Sequence, residues 1–228
     1  MSRILCLTCQ RPKKACICAF TTAINNDIHV VILQHPSEVS QTKGTVALLA
    51  KSLQSCQVIV GEIFDEEALF LKVMAQYQAV LLYPGEQAQT LSQNSLVALA
   101  ERDKNSGNGD INIKPLCLVI LDGTWKKAYR MFMLSKTLQR LPQICLPEYL
   151  ANAGQYHIRK VAKKNALSTL EASCYALALL EAGSDFGNVT PDKAGKYQVL
   201  LNKFQEFNQF QLSFRPEQSN TSRKSDDS

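Results

Sequence analysis

The sequence predicts an α/β fold: a mostly parallel sheet with helices on both faces. Three observations predict it. Short apolar runs rich in β-branched residues have the length and character of strands buried on both sides. Between them lie segments whose apolar residues recur at helical spacing. The two kinds alternate along the chain, as parallel neighbours require, because each must be joined by a crossover connection.

In chain order, HVVILQH (29–35) reads as the first strand and KGTVALLAKSL (43–53) as its helix. QVIVGEIF (57–64) and AVLLYPGE (79–86) are the next strands, each followed by a helical pattern, EEALFLKVMAQY (66–77) and SQNSLVALAER (92–102). DKNSGNGDINIK (103–114) is polar and glycine-rich, hence a loop. LCLVILD (116–122) is the next strand. An Asp-Gly pair follows it and would suit a hairpin, but Trp125, Ala128, Tyr129, Phe132 and Met133 then recur at helical spacing, so the chain goes strand, short loop, helix. QICLPE (143–148) is a short further strand. Ser168-x-x-Glu171 before LEASCYALALL is a capping box opening another helix. The final SFRPEQSNTSRKSDDS has the composition of a disordered tail. The expected organisation is a cysteine-rich segment over 1–26, a catalytic domain over 27–212 and the tail over 213–228.

The chain has 228 residues, 46% hydrophobic and 20% charged, ordinary values for a soluble protein with a full core. A net charge of +5 hints only weakly at a polyanionic partner. No apolar stretch is long enough to span a bilayer, so no membrane partner is expected. The start, MSRILCLTC, lacks the longer apolar core of a secretory signal. A cytoplasmic protein is expected, and there its eight cysteines would stay reduced.

Four of them, Cys6, Cys9, Cys16 and Cys18, fall within thirteen residues, separated by Arg11, Pro12, Lys13 and Lys14. Such a group suits a closed, structural zinc site. Cys56, Cys117, Cys145 and Cys174 sit inside apolar runs and read as small core residues.

Three strand ends carry polar or turn-forming residues: His35, Ser37, Glu38 and Lys43 after the first, Tyr83-Pro84-Gly85-Glu86 at the third, Asp122 at the fourth. In open α/β sheets ligands bind at the strands' carboxyl ends, so these should converge on a pocket. Asp122 could instead cap the following helix. Lys126, Lys127 and Arg130 share one side of that helix, opposite the expected apolar stripe, and could hold phosphates. YHIRKVAKK concentrates His157, Arg159, Lys160, Lys163 and Lys164 beside Tyr156, more than a solvated loop needs, which points to nucleic acid.

Taken together, the chain resembles the DTW-domain family of tRNA-uridine aminocarboxypropyltransferases. The family's Asp-x-Thr-Trp signature stands as Asp122-Gly123-Thr124-Trp125, and the Cys-x-x-Cys…Cys-x-Cys head, QHPSE, YPGE and Tyr-x-Ile-Arg-Lys…Ser-Thr-Leu-Glu blocks follow the same order, from about residue 6 to about 182. The resemblance implies kinship with the SPOUT class and its carboxyl-terminal trefoil knot. It implies transfer of the 3-amino-3-carboxypropyl group of S-adenosylmethionine (SAM) to N3 of a tRNA uridine, variable-loop position 47 being the family's best-known target, with methylthioadenosine released.

A uracil N3–H is weakly acidic and must be lost before the nitrogen attacks, a task for a general base. Asp122 is the candidate, beside an apolar ring that could raise its basicity. SAM is expected against Tyr83, Pro84, Gly85, Glu86, Leu121, Gly123, Thr124, Trp125, Ser168, Thr169 and Glu171. Lys43, Lys126, Lys127, Arg130, His157, Arg159, Lys160, Lys163 and Lys164 are expected on the RNA, with a monomer favoured. Methyl transfer from SAM needs only a different pose, and a non-catalytic zinc-containing RNA-binding protein would carry the same basic clusters. The residues leave both open.

Overall fold

A computed structural model describes residues 4–41, 44–93, 114–154 and 167–214. Six strands form one sheet in which every pairing is parallel: β1 (His29–Gln34), β2 (Cys56–Val60), β3 (Gln78–Leu82), β4 (Gln89–Thr90), β5 (Leu116–Asp122) and β6 (Gln143–Cys145), in the order β2-β1-β5-β3-β6-β4. The helices are α1 (Val46–Ser52), α2 (Ala68–Gln76), α3 (Trp125–Leu134), α4 (Lys136–Arg140), α5 (Glu148–Ala151), α6 (Thr169–Glu181) and α7 (Gln198–Leu212).

Side chains on a strand alternate between faces, and the core divides accordingly. Val30, Ile32, Val80, Leu118 and Ile120 pack under α1, α6 and α7. Val31, Leu33, Ala79, Leu81, Cys117 and Val119 pack under α2, α3 and α4, through Phe70, Val73, Met131 and Leu138. Ile17 and Ile24 join the first of these clusters, so the cysteine segment is pinned to the main core. Burial pushes the Cys56 and Cys117 thiols up to about 12, as expected of core cysteines. Cys117 and Cys174 are buried, but Cys56 and Cys145 are only half-buried; Cys56 packs against the core and Cys145 lines a cavity.

Several elements are shorter than the sequence predicts, each for a local reason. β2 stops at Val60 rather than 64, where Gly61 turns the chain and Phe64 is wholly buried. β3 stops at Leu82 because Pro84, with no N–H, cannot extend a ladder. β6 ends at Cys145, before Pro147. α2 starts at Ala68, its amide end satisfied by the Glu67 carboxylate, which accepts from Phe70 N at 2.6 Å. The capping box is present: Ser168 Oγ accepts from Glu171 N at 3.2 Å, and the Glu171 carboxylate accepts from Ser168 N at 2.7 Å. Two short helices (α4 and α5), strand β4 and the 15-residue α7 have no counterpart in the sequence reading. Most of the helix expected at 92–102, of the loop at 103–114 and of the tail lies outside the described residues.

Because the sheet is parallel, the carboxyl ends of β1, β5 and β3 lie side by side at one rim. The switch in strand order falls there too. β1 leads outward to β2, while β3 lies on the far side of β5.

Candidate functional site

The rim is built around Asp122. His35 N donates to its carbonyl at 3.0 Å, tying β1's exit to β5's end. Asp122 is 9% exposed, and its carboxylate accepts two hydrogen bonds, from Gln34 Nε2 at 3.0 Å and from Thr169 Oγ1 at 2.6 Å. One side chain thus links β1, β5 and the first turn of α6. The helix-cap alternative does not hold, because Thr124 caps α3, accepting from Lys127 N at 3.4 Å. Gly123 makes the turn possible: a Cβ there would lie 3.1 Å from Lys127 Cβ and 3.7 Å from His35 Cβ.

Beside Asp122 opens a cavity of about 310 Å³, lined chiefly by Tyr83, Pro84, Leu121, Gly123, Trp125 and Thr169. That volume falls at the small end of ligand pockets. The wall includes seven of the eleven residues expected to hold SAM, Ser168 among them. Asp122 is not part of the wall. It sits behind Thr169, which bonds its carboxylate and lines the cavity. Thr124 and Glu171 are spent as helix caps, and Gly85 and Glu86 are absent from the lining. Gly85 packs closely, since a Cβ there would meet Gln143 Oε1 at 2.5 Å. The sequence reading missed Cys145 at the end of β6, Leu146 after it and Asn152 beyond α5, which also line the cavity. Only the apolar run before Pro147 hinted that another strand end arrives there.

The helix after the signature packs differently from the prediction. Ala128 and Met131 are buried, whereas Trp125, Tyr129 and Met133 are exposed. Phe132 is partly buried and stacks on Tyr83 with ring centroids 4.7 Å apart. The basic face is also less uniform than expected. Lys127 Nζ donates to the buried Glu38 carboxylate at 2.7 Å, which holds it to the 3-10 turn after β1. Arg130 faces Glu62 at 3.4 Å with both side chains well exposed. Glu62 also takes His35 Nε2 at 2.8 Å, and Ser37 Oγ lies 2.9 Å from His35 Nδ1. Lys126 is exposed. Lys43, His157, Arg159, Lys160, Lys163 and Lys164 lie outside the described residues.

The four amino-terminal cysteines meet, and they form the one group of three or more metal-binding side chains among the described residues. Their sulfurs lie within 4.8 Å of one another, with Cys6–Cys18 at 3.8 Å and Cys9–Cys16 at 3.7 Å. A tetrahedral zinc–thiolate site with bonds of about 2.3 Å has edges of about 3.8 Å, so the set fits a closed zinc site. Gln10, at φ 57°, turns the chain between the pairs, and Gln10 N donates to Cys6 O at 2.9 Å. Amide donors at Cys9 and Thr8 bring the Cys6 thiol down to about 6, while burial and neighbouring thiols push Cys18 up to about 12. Lys51 Nζ donates to Thr8 O at 3.0 Å, fastening this segment to α1.

Among the described residues no helix is long and apolar enough to cross a membrane. No solved structure matches the chain significantly. Relatives exist in sequence. The chain is 32% identical over 182 residues to tRNA-uridine aminocarboxypropyltransferase 2 of Macaca fascicularis, covering 77% of this chain and 56% of that protein. To the Mus musculus protein of the same name it is 33% identical over 183 residues, with the same coverage. It is 25% identical over 232 residues to tRNA-uridine aminocarboxypropyltransferase A of Arabidopsis thaliana, covering 93% of this chain and 82% of that one. The chain therefore spans a little over half the length of the macaque and mouse relatives. The DTW domain matches residues 3–212, from the cysteine head through the Asp122 rim to the end of α7, and the chain belongs to the DTW-domain family.

Proposed function

We propose that the protein transfers the 3-amino-3-carboxypropyl group of SAM to N3 of a tRNA uridine, the variable-loop position 47 being the favoured target. The observation that carries this reading is the Asp122 carboxylate, held by Gln34 and Thr169 directly behind the wall of a ligand-sized cavity. Each carboxylate oxygen has capacity for a second hydrogen bond. Asp122 accepts the N3 proton, and Thr169, which bonds the carboxylate and lines the cavity, is positioned to pass it. The nitrogen then forms its bond to the γ-methylene carbon as the carbon–sulfur bond breaks. The electron pair stays on sulfur, and neutral methylthioadenosine leaves. Choice of the γ-carbon over the methyl is a matter of orientation. Tyr83, Pro84, Leu121, Gly123, Trp125, Ser168 and Thr169 are the residues placed to impose it. Thr124 and Glu171 act on this site only by capping α3 and α6, and Gly85 and Glu86 follow the wall residues Tyr83 and Pro84 in the chain. A proton acceptor of this kind contributes about 10²–10⁴-fold.

Cys6, Cys9, Cys16 and Cys18 would hold zinc, which neutralises the crowded thiolates and fixes a segment too short to fold alone. Metal analysis of purified protein should find about one zinc per chain, and Cys9→Ser should lower it. The reading includes a SPOUT-type knotted connection, a cytoplasmic monomer, and the division into a cysteine segment over 1–26, a catalytic domain over 27–212 and a tail over 213–228. Lys43, His157, Arg159, Lys160, Lys163 and Lys164 contact tRNA phosphates.

Nucleoside mass spectrometry of tRNA incubated with the purified protein and SAM is the test. A uridine carrying the aminocarboxypropyl group, with methylthioadenosine as by-product, is expected. S-adenosylhomocysteine and a methylated nucleoside would replace this reading with methyl transfer. No product at all would leave an RNA-binding protein.

A further inference from the structure

Trp125, Tyr129 and Met133 are four residues apart on α3, so they form a single row along the helix. They are 61%, 57% and 51% exposed, while Ala128 and Met131 hold the opposite side of α3 to the sheet. The row is therefore not a packing face. A soluble protein seldom leaves large apolar side chains in an unbroken line at its surface without using them. Its amino end is also at the cavity, since Trp125 lines it, as does Tyr83, whose ring stacks on Phe132 of the same helix at 4.7 Å. Exposed Lys126 and Arg130 interleave with the row in sequence, and Arg130 has only a surface ion pair, 3.4 Å to Glu62, of the kind worth little.

Flat rings at one-turn spacing beside cations match the chemistry of unstacked nucleotides: bases lie on aromatic faces while Lys and Arg meet the phosphates. Duplex RNA hides its bases and offers nothing to such a row. A second copy of the chain, with the same cations, would bring like charges together. We propose that the α3 row is a stacking platform for single-stranded RNA, holding the nucleotides next to the target splayed so that one base can enter the cavity. This rests on the tRNA-uridine reading and adds that the substrate must be unpaired around the target.

The chain's only tryptophan sits at the head of the row, so its fluorescence reports on the site directly. A single-stranded oligouridylate and a duplex RNA of equal length should be titrated into the full-length protein and into Tyr129→Ala and Tyr129→Phe. The single strand should quench Trp125 and bind well ahead of the duplex. Tyr129→Ala should weaken it about 5–100-fold, as loss of one base–ring stack does, and Tyr129→Phe, which keeps the ring, should bind as wild type. Matching thermal melts establish that both variants fold. Unchanged affinity in Tyr129→Ala, equal binding of duplex, or self-association that Tyr129→Ala abolishes would overturn the proposal. Failure here is separable from failure of the functional reading. Transfer by wild type with no effect of Tyr129→Ala sinks only the platform. Strand-selective quenching without any transfer sinks only the chemistry.

Discussion

The two rims of the sheet each carry a cavity and a nearly buried carboxylate, and they are put together differently. At the carboxyl rim lies Asp122 beside a cavity of about 310 Å³. At the amino rim lies Glu181, at the end of α6, beside a larger one of about 390 Å³. A carboxylate offers about four acceptor positions. Glu181 has all of them engaged: Oε1 accepts from the amides of Asp27 and Ile28 at 2.9 and 3.1 Å, and Oε2 takes Tyr197 OH at 2.7 Å and Lys196 Nζ at 2.8 Å. Asp122 has two engaged, both by neutral donors. The bigger cavity is thus lined by a closed network that binds the fold to itself, and the smaller one adjoins a charge with capacity left over. Volume alone would favour the amino rim, and the free acceptor positions favour the other.

The contrast is broken most sharply by exchanging each carboxylate for its amide. Asp122→Asn should cut transfer by about 10²–10⁴-fold with little change in melting temperature, because the Gln34 amide can turn over to suit the new partner. Glu181→Gln should do the reverse. It keeps activity but loses about 1–3 kcal/mol of stability, less than a fully buried ion pair would cost because Lys196 is 39% exposed. Steady-state kinetics and thermal melts on both variants check this. If Asp122→Asn melts early and Glu181→Gln kills transfer, the two rims have been assigned the wrong way round.

Much of the carboxyl rim could be read from sequence because its chemistry sits at the ends of apolar runs, as with Asp122 and Tyr83-Pro84. Its supports could not. Gln34 and Thr169 reach Asp122 across 88 and 47 residues, and only the sheet order brings them there. α3 misled for a different reason. It has two apolar rows, and periodicity cannot say which one packs; Ala128 and Met131 do, leaving Trp125, Tyr129 and Met133 outside. α7 did carry a signal, with Leu200, Leu201, Phe204 and Phe207 at helical spacing and all buried. The amino rim had none, because Lys196, Tyr197 and Asp27 look like ordinary loop residues until folding sets them around Glu181.

A smaller effect separates the rims by pH. Burial, and then the hydrogen bond to Glu181, raise the Tyr197 phenol well above its ordinary range. In the unfolded chain it ionises near its usual value of about 10, so above that pH the unfolded state holds fewer protons than the native one, and stability falls as pH rises. Below pH 10 both states keep the proton and the contribution is intact. Melting temperatures followed from pH 8 to 11 should therefore fall at the alkaline end in wild type and fall less in Tyr197→Phe. Equal slopes would mean that the fold does not hold the Tyr197 phenol neutral.

The series of buried polar groups has a third member with no engagement at all. Asn208, on the inner side of α7, is 7% exposed, and neither its Oδ1 nor its Nδ2 finds a hydrogen-bond partner among the described residues. Glu181 is fully satisfied and Asp122 half satisfied, so Asn208 should be the one whose removal helps. An unpaired buried amide costs about 1–3 kcal/mol, and an apolar group of similar shape removes that cost. Its helix neighbours Phe204 and Phe207 are buried in the same cluster, so a leucine would find apolar contacts at once. Asn208→Leu should raise stability by about 1 kcal/mol, read as a higher denaturation midpoint with an unchanged slope. Loss of stability instead would mean that the amide has a partner after all, and that the core under α7 is ordered around it.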